Sequence, residues 1–238
     1  MKVEEQLTNL RLHGMYQQWQ GLKESKGLQK LTLMDGMEML LQAELQQRES
    51  RKMERLTKNA NFRYQSSLQE IAYPPERGSI QNTIQVLSSC EYIRNGEAVL
   101  ITGATGCGKS YIASALGYHA CAMGFRTIYF NMQKLFMRMK VARAEGTLIS
   151  LQEKLSKMNL LILDDFGLTA MDGQSRLDFL EIIEDRYKKN ATIIASQLPV
   201  ANWYDIIGDD TIADALLDRL TTHSSRIELK GQSMRKKQ

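Results

Sequence analysis

The stretch GATGCGKS, residues 103–110, constrains the fold of this 238-residue chain more than any other feature of its sequence. It follows the apolar run AVLIT and precedes a stretch of helical composition, SYIASALGYHACAMG. A GxxxxGK[ST] motif between a strand and a helix is a phosphate-binding loop, because its glycines let backbone N–H groups point at phosphate oxygens. The N-terminus of the helix adds the positive end of its dipole. The sequence therefore predicts a nucleotide-binding α/β fold.

The predicted nucleotide site takes its cofactor contacts from one continuous segment. Lys109 is expected to reach the β- and γ-phosphates of ATP, and the Ser110 hydroxyl is expected to bind Mg²⁺. Cys107 occupies a variable position of the motif and is expected to be a small buried side chain. The full set of expected cofactor-binding residues is Gly103, Ala104, Thr105, Gly106, Cys107, Gly108, Lys109, Ser110 and Tyr111.

A second segment, LLILDDFG at residues 160–167, supplies two carboxylates. Its apolar residues predict a buried strand, which places Asp164 and Asp165 at the carboxyl edge of the sheet, where open α/β folds bind ligands. We expect Asp164 to hold Mg²⁺ and Asp165 to orient or deprotonate the attacking water. Ser196 and Gln197 follow the run TIIAS. They would reach the γ-phosphate or the water if that strand lies beside the one that ends in Asp164.

Short apolar runs alternate with helical stretches in the second part of the chain. The runs are AVLIT (98–102), RTIYF (126–130), LLILD (160–164), TIIAS (192–196) and RIEL (226–229). Such alternation predicts a parallel sheet with helices on both faces, connected by right-handed crossovers.

The first 67 residues have the periodicity of helices. Apolar residues recur in two stripes, Leu7, Leu10, Met15, Trp19 and Leu22, then Leu33, Met37, Leu40, Leu41 and Leu45. The second helix is expected to continue through a basic ridge of Arg48, Arg51, Lys52, Arg55 and Lys58. Two of the three prolines fall within residues 72–79, so a linker is expected there or shortly before. We therefore predict a helical domain over residues 1–67 and a nucleotide-binding domain over residues 68–238.

Composition and charge exclude several classes of protein. Three cysteines without CxxC spacing and three histidines imply neither disulfides nor a metal cluster. The N-terminus lacks the pattern of a secretory signal and no apolar run is long enough to span a membrane, so we expect a cytoplasmic protein without membrane contact. The net charge is +4, and basic segments stand apart from the acidic segment DDFGLTAMDGQSRLDFLEIIED. This separation is compatible with a polyanionic partner, with head-to-tail self-association or with ordinary solvated helix faces.

Five motifs together resemble those of the AAA+ ATPases of the IstB and DnaC group. They are GATGCGKS, LLILDDFG, TIIASQLP, ALLDRL and RIELKGQSMR, and the resemblance covers nearly the whole chain. The similarity is closer to the IstB family, the helper ATPases of IstA/IstB-type insertion sequences. It implies an AAA+ P-loop core with a five-stranded parallel sheet flanked by helices. It also implies a small all-helical N-terminal domain before the core. Almost no residues follow RIELKGQSMR, so we expect no C-terminal lid domain, which departs from the broad AAA+ pattern.

The resemblance gives further residues catalytic roles. Arg219 in LLDRL would reach the ATP site of the next subunit, whereas the sequence alone favours a surface or salt-bridge arginine at this point. Arg235 would be the second sensor, and Ser196 and Gln197 would form the first. Asp165 stands where most AAA+ proteins have a glutamate, which is one methylene longer and is associated with fast hydrolysis.

The resemblance also implies that duplex DNA is a partner. Initiator-type AAA+ proteins carry an extra helical segment after the second strand, and residues 131–148 occupy that position here. Within it, an apolar face of Leu135, Met139 and Ala142 is expected to pack on the core. The candidate DNA-binding residues are Lys134, Arg138, Lys140 and Arg143, with Arg51, Lys52 and Arg55 as a second group. Their contacts should be mainly to phosphates, with little sequence specificity.

These features together imply an ATPase that is stimulated by DNA or by its partner, with ATP and Mg²⁺ as cofactors. The protein would oligomerise on target DNA with ATP sites between subunits, recruit or stimulate an IstA-type transposase, and leave the DNA upon hydrolysis. A DnaC-like replicative helicase loader has the same catalytic parts and stays open as an alternative. A P-loop kinase for small molecules would need a lid over an acceptor pocket, and the sequence offers no candidate segment for one.

Overall fold

The chain divides into two units, Met1–Arg55 and Leu56–Gln238. The structure is a computed structural model, and it describes residues 2–25, 31–73 and 78–230. The division falls inside a long helix, earlier than the predicted domain boundary between residues 67 and 68, which stays a prediction. The predicted linker at residues 72–79 lies partly outside the described residues.

Helices precede the sheet and alternate with its strands. In the described ranges they are α1 (Val3–Asn9), α2 (His13–Glu24), α3 (Leu33–Ala60), α4 (Gly78–Leu87), α5 (Glu91–Arg94), α6 (Lys109–Ala122), α7 (Met132–Ala144), α8 (Leu148–Ser156), α9 (Gly173–Arg186), α10 (Trp203–Ile207) and α11 (Asp210–Thr221). Short 3₁₀ turns lie at Leu68–Glu70 and Val200–Asn202. None of these helices is both long and apolar enough to cross a bilayer.

In the N-terminal unit, the Glu44 side chain of α3 caps the amino end of α2. Leu12, the N-cap of α2, provides no side-chain hydrogen bond. The Glu44 carboxylate instead accepts hydrogen bonds from the backbone N–H groups of Gly14 (2.8 Å) and Met15 (3.3 Å). A Cβ on Gly14 would lie 2.4 Å from the carbonyl oxygen of Ala43, so only glycine allows this close approach of the two helices.

The first half of α3 carries an exposed apolar face. Its members are between 46% and 86% exposed, and they are Leu33, Met34, Met37, Leu41 and Leu45. Most of the second predicted apolar stripe therefore lies on the helix surface rather than in a core, which is unusual for large apolar side chains at helical spacing. As predicted, α3 continues through the basic ridge, where Arg51, Lys52 and Arg55 are exposed.

A parallel sheet forms the centre of the second unit. Its strands are β1 (Ala98–Gly103), β2 (Thr127–Asn131), β3 (Leu160–Phe166), β4 (Ala191–Ser196) and β5 (Ser224–Leu229), in the spatial order β2-β3-β4-β1-β5. Every neighbouring pair is parallel, which confirms the predicted fold class, and each strand overlaps one of the predicted apolar runs. Because β4 lies between β1 and β3, residues at the carboxyl ends of these three strands come together.

Alternate residues of β1, β2, β3 and β4 enter two cores, one on each face of the sheet, whereas β5 contributes to one core only. Val99 and Ile101 of β1 join a core with α4 and α6, whereas Leu100 joins a core with α7, α9 and α11. Both faces are covered by helices, which explains why the strands are continuous apolar runs. Leu135 and Met139 of α7 are fully buried, which confirms the apolar face predicted for this helix.

Candidate nucleotide site

The phosphate-binding loop lies between β1 and α6, as the sequence predicts. Gly103 ends β1 with a φ of 148°, and a Cβ at this position would lie 2.5 Å from the carbonyl oxygen of Leu229. Gly108 is the N-cap of α6 and has a φ of 93°, in the left-handed region that favours glycine. The first N–H groups of α6 have no carbonyl partner within the helix, so this end of α6 is suited to an anion.

A cavity of about 570 Å³ opens beside the loop. This volume is in the range typical of ligand pockets. Its walls contain Thr105–Ile112 of the loop, together with Asp165, Gln197, Arg63 and Tyr64. The predicted cofactor-binding residues from Thr105 to Tyr111 therefore all line one cavity.

Lys109 spans the loop from within. Its ammonium group donates hydrogen bonds to the carbonyl oxygens of Gly103 (2.7 Å) and Ala104 (2.8 Å), and the residue is only 6% exposed. These contacts connect the first two predicted cofactor-binding residues to the lysine. Cys107 is fully buried, as expected for a small side chain at a variable position of the motif.

Asp164 and Asp165 lie at the carboxyl end of β3. Asp164 is fully buried, whereas Asp165 lines the cavity. Asp165 has a φ of 60°, and the pairing of β3 with β4 shifts register between Leu163 and Phe166. Consecutive side chains of a regular strand point to opposite faces, and a bulge changes this direction locally. The bulge explains how two consecutive carboxylates come within reach of the same donor groups.

One oxygen of each acid accepts hydrogen bonds from two side chains, and Arg63 is the donor that the two acids share. Arg63 Nη1 lies 3.3 Å from Asp164 Oδ2 and 3.1 Å from Asp165 Oδ2. The Tyr129 hydroxyl donates to Asp164 Oδ2, and the Asn131 amide donates to Asp165 Oδ2 at 2.8 Å. Tyr129 and Asn131 both belong to β2, the strand next to β3. The two acids are thus held by a second layer of polar residues.

The charges of this cluster keep the donors protonated. Burial raises the pKa of the Tyr129 phenol, and the negative charge of Asp164 raises it further. Partial burial acts to lower the pKa of Arg63, but Tyr64 and the carboxylates of Asp165 and Asp164 outweigh it, so the pKa of Arg63 is raised. Tyr129 therefore remains a neutral donor, and Arg63 remains a cation, at neutral pH.

Two side chains of the site carry oxygen atoms of the kind that Mg²⁺ binds. Asp164 Oδ1 is buried and has no hydrogen-bond partner among the described residues. A buried carboxylate oxygen without a partner is costly, and a metal ion or a water bound to it would remove that cost. Ser110 lines the cavity beside the loop. One carboxylate and one hydroxyl, completed by phosphates and water, make the oxygen ligand set that Mg²⁺ prefers.

Ser196 and Gln197 have different surroundings at the end of β4. Gln197 lines the cavity, and its Oε1 accepts a hydrogen bond from the Thr105 hydroxyl at 2.7 Å. Ser196 is fully buried, donates to the carbonyl oxygen of Phe166 (2.9 Å) and accepts from the N–H of Leu198 (3.1 Å). Gln197 therefore faces the nucleotide cavity, whereas the Ser196 hydroxyl joins the backbones of β3 and β4.

Arg219 lies at the opposite end of the strands, near the amino end of β1. It lines a separate cavity of about 290 Å³ with Ala98, the first residue of β1. Its guanidinium donates to the carbonyl oxygen of Ala215 (2.8 Å) and to the Glu184 carboxylate (3.1 Å). The length of β1, about 20 Å, separates this end from the phosphate-binding loop, so Arg219 cannot reach the loop of its own subunit. Arg235, the other predicted sensor arginine, lies outside the described residues.

Two of the four candidate DNA-binding cations on α7 are paired with acids. Lys140 Nζ lies 2.7 Å from Asp172 Oδ2, with both side chains more than half exposed. Arg143 forms an ion pair with Asp178, which is almost fully buried. These contacts compete with any phosphate for the same two cations.

The other two cations on α7 are open to solvent. Lys134 and Arg138 are exposed, and neither forms an ion pair within the described residues. The Arg138 guanidinium lies 6.0 Å from the centre of the Phe130 ring, which leaves its hydrogen-bond donors available. Lys134 and Arg138 are therefore the α7 residues best placed to bind phosphates.

Sequence reasoning did not identify Arg63, Tyr129 or Asn131 as site residues. Asn131 ends β2, and its place at the carboxyl edge of the sheet is a signal that could have found it. Tyr129 resembles an ordinary core aromatic in the run RTIYF. Arg63 gives no signal, because its contact with Asp164 joins residues 101 positions apart.

The sequence model of one protein family, described as IstB-like ATP binding protein, matches residues 5–238. The chain belongs to this family. Among relatives in the family, the insertion sequence ATP-binding protein y4pL of Sinorhizobium fredii is 37% identical over 234 residues, which cover 98% of this chain and 96% of the relative. The insertion sequence IS21 ATP-binding protein of Pseudomonas aeruginosa is 28% identical over 237 residues, which cover 100% and 89%. The predicted family is therefore confirmed.

Several solved structures share the fold of this IstB-family chain. DnaI superimposes with a TM-score of 0.61 at 18% identity, covering 70% of this chain and 92% of DnaI. The DnaC helicase loader gives 0.57 at 21% identity, covering 73% and 98%. DnaA from Aquifex aeolicus with bound AMPPCP gives 0.60 at 20% identity, covering 74% and 53%. At these identities the similarity establishes the AAA+ fold alone.

Proposed function

We propose that this IstB-family protein is an ATPase that oligomerises on target DNA and recruits or stimulates an IstA-type transposase, with ATP hydrolysis driving release. The proposal rests on the positions of Arg219 and Asp165. These two residues lie near opposite ends of the strands of one sheet. If Arg219 stabilises the transferring phosphoryl group, it does so in the site of a neighbouring subunit. ATP bound between subunits then links assembly to the nucleotide state.

The residues of the cavity have distinct roles in the proposed hydrolysis. Lys109 binds the β- and γ-phosphates, and Ser110 and Asp164 hold Mg²⁺. When bound, Mg²⁺ neutralises the charge of the phosphates. Asp165 orients the attacking water and accepts its proton, and it can do so because its carboxylate faces the cavity. Arginine fingers of the kind proposed for Arg219 contribute ~10³-fold or more to the rate.

The proposed DNA contact is electrostatic. Lys134 and Arg138 are exposed on α7, which packs on the sheet through its buried face and thus presents these cations from a rigid support. Arg51, Lys52 and Arg55 offer a second exposed group on α3. Such contacts to phosphates tolerate sequence variation and weaken steeply with salt. Since DNA is the proposed partner, we assign the activity to the cytoplasm.

The transposase contact is proposed for the N-terminal helical domain. Support comes from the exposed apolar face of α3, because a contiguous apolar surface of this kind is typical of protein–protein interaction sites. The changes Met37→Glu and Leu41→Glu should together abolish capture of the transposase in a pulldown assay and leave ATP hydrolysis without DNA unchanged.

A DnaC-like helicase loader is the second candidate function, and the fold shared with the DnaC helicase loader favours it. Its catalytic site would be the same, and only the protein client would differ. Pulldowns with a purified IstA-type transposase and with a replicative helicase distinguish the two functions. Binding of the helicase alone would contradict a role in transposition.

The proposed activity is tested by measuring ATP hydrolysis at low salt with and without duplex DNA. We expect DNA to raise the rate, Lys109→Ala to abolish both hydrolysis and ATP-dependent assembly, and Arg219→Ala to abolish hydrolysis while isolated protomers still bind nucleotide. A rate that does not respond to DNA would contradict the DNA-dependent part of the proposal. Hydrolysis that survives in Arg219→Ala would contradict a site shared between subunits.

A further inference from the structure

Arg63 contacts both Asp164 and Asp165. In the proposed function, Asp164 binds the metal ion and Asp165 orients the attacking water. One nitrogen of its guanidinium, Nη1, lies 3.3 Å from Asp164 Oδ2 and 3.1 Å from Asp165 Oδ2. The positive charge therefore lies between the two carboxylates, where it would compete with any cation for these oxygens. The Arg63 side chain is 40% exposed and forms part of the cavity wall, so the cavity offers space into which it can turn.

The segment that carries this arginine is anchored on α6. Phe62 packs so closely against that helix that a Cβ on Gly117 would lie 2.5 Å from Phe62 Cε1. Leu56 and Ala60, in the last turns of α3, are buried in a cluster with Cys121 of α6. The helix that begins at the phosphate-binding loop thus also fixes the backbone from which the guanidinium extends.

Arg63 and a metal ion compete for the same carboxylate oxygens. Each Oδ2 atom already accepts hydrogen bonds from Arg63 and from either Tyr129 or Asn131. Within the described residues, no group of three or more His, Cys, Asp or Glu side chains could hold an ion by itself. An ion that arrives with ATP brings phosphate ligands, and it needs only Ser110 and the unpartnered Asp164 Oδ1.

We propose that Arg63 is a built-in counter-ion of Asp164 and Asp165, which excludes a divalent ion from the acids unless the ion arrives with the nucleotide. The inference rests on the proposed function in one respect, which is the assignment of Asp164 as a ligand of the metal ion that binds with ATP. A unit charge about 5 Å from a divalent ion changes the affinity of the ion about tenfold even at the dielectric constant of water. The metal consequently enters and leaves the site together with its nucleotide.

The experiment measures the binding of Mn²⁺ alone, without nucleotide or DNA, from the electron paramagnetic resonance signal of the free ion. Arg63→Gln should bind Mn²⁺ at least about tenfold more tightly than the wild type. Arg63→Lys keeps the charge and should behave like the wild type. Arg94→Gln is the matched control, because it removes an exposed arginine that pairs with Glu91 on α5, and it should leave Mn²⁺ binding unchanged.

Two further variants test whether the additional Mn²⁺ binds at the acid pair. Arg63→Met provides a second neutral substitution, and thermal unfolding verifies that each variant is folded. In the double variant Arg63→Gln, Asp165→Asn the gain in Mn²⁺ affinity should disappear, because the acid pair is incomplete. A gain that persists in the double variant overturns the inference, since the ion would then bind elsewhere.

The sign of the effect separates this role from a merely structural one. Loss of a structural arginine would distort the site and weaken Mn²⁺ binding, whereas loss of a competing cation strengthens it. Unchanged or weaker Mn²⁺ binding in Arg63→Gln overturns the inference. The outcome is independent of the proposed function as a whole, because DNA, transposase and ATP hydrolysis take no part in the measurement.

Discussion

The ion pairs of α7 lead to a prediction about which cations bind DNA. Replacing Lys134 and Arg138 by glutamine removes two cations without an acidic partner among the described residues. Replacing Lys140 and Arg143 removes the same net charge from the same helix, but these two are paired with acids. A phosphate that binds Lys140 must break an exposed ion pair that contributes up to about 1 kcal/mol, and one that binds Arg143 must leave the buried Asp178 carboxylate without this partner, which costs more. The first double variant should therefore lose more DNA binding.

The magnitude follows from counterion release. Each phosphate contact contributes about 0.9 to the slope of log K against the logarithm of salt concentration, so loss of both contacts should reduce the slope by about 1.8. Between 50 and 200 mM salt, the Lys134→Gln, Arg138→Gln variant should lose about tenfold less affinity than the wild type does. The control variant should change the slope by less than about 1.

The assay is fluorescence anisotropy with a labelled duplex in Mg²⁺ and a slowly hydrolysed ATP analogue, repeated across a series of salt concentrations. An equal change of slope in the two double variants would refute the argument from ion pairing. An unchanged slope in both would exclude α7 as the DNA site. The exposed group Arg51, Lys52 and Arg55 would then be the next candidate.

Two other predictions concern residues that hold other groups in place. Tyr129→Phe removes a buried hydrogen bond to a charged acceptor, so it should lower the free energy of unfolding in urea by about 1–3 kcal/mol. It should also reduce kcat while nucleotide affinity stays the same. Full activity would contradict a positioning role for the phenol. Glu44→Gln should lower the free energy of unfolding by about 1 kcal/mol at pH 7, because Glu44 caps the amino end of α2 and pairs with Arg48. Burial acts to raise the pKa of Glu44, but its hydrogen-bond partners outweigh burial and the pKa is lowered. The stabilisation is therefore present above the usual glutamate pKa of about 4.3 and disappears as the pH falls below that value. A difference between wild type and Glu44→Gln that does not decrease as the pH falls from 5 to 2 would contradict this role of the carboxylate.

The sequence predicts the inner strands β1, β3 and β4 well because they are buried on both faces. A buried parallel strand is a continuous apolar run, and such runs stand out between helical stretches. The position of Asp164 and Asp165 follows from the same pattern, because a residue that ends a parallel strand must lie at the carboxyl edge. The strand order, with β4 next to β3, then brings Gln197 to the same cavity.

What the sequence does not predict depends on contacts between distant segments. Arg63 reaches the acids only because Phe62 packs against Gly117, and neither residue type signals that contact. The bulge at Asp165 is likewise invisible in the run LLILDDFG, since it arises from the pairing of β3 with β4. In the N-terminal helices, periodicity marks Leu41 and its neighbours as an apolar stripe but does not reveal that the stripe is exposed.

The central claim is that one ATP site is built by two subunits, and a mixing experiment tests it most directly. Asp165→Asn lacks the residue that orients the water, and Arg219→Ala lacks the arginine given to the neighbour, so each variant alone should be inactive. In an equal mixture with random assembly, about one site in four combines an intact cavity with an intact arginine. We predict recovery of up to about a quarter of the wild-type ATPase rate. A mixture that is no more active than the two separate variants would contradict the claim.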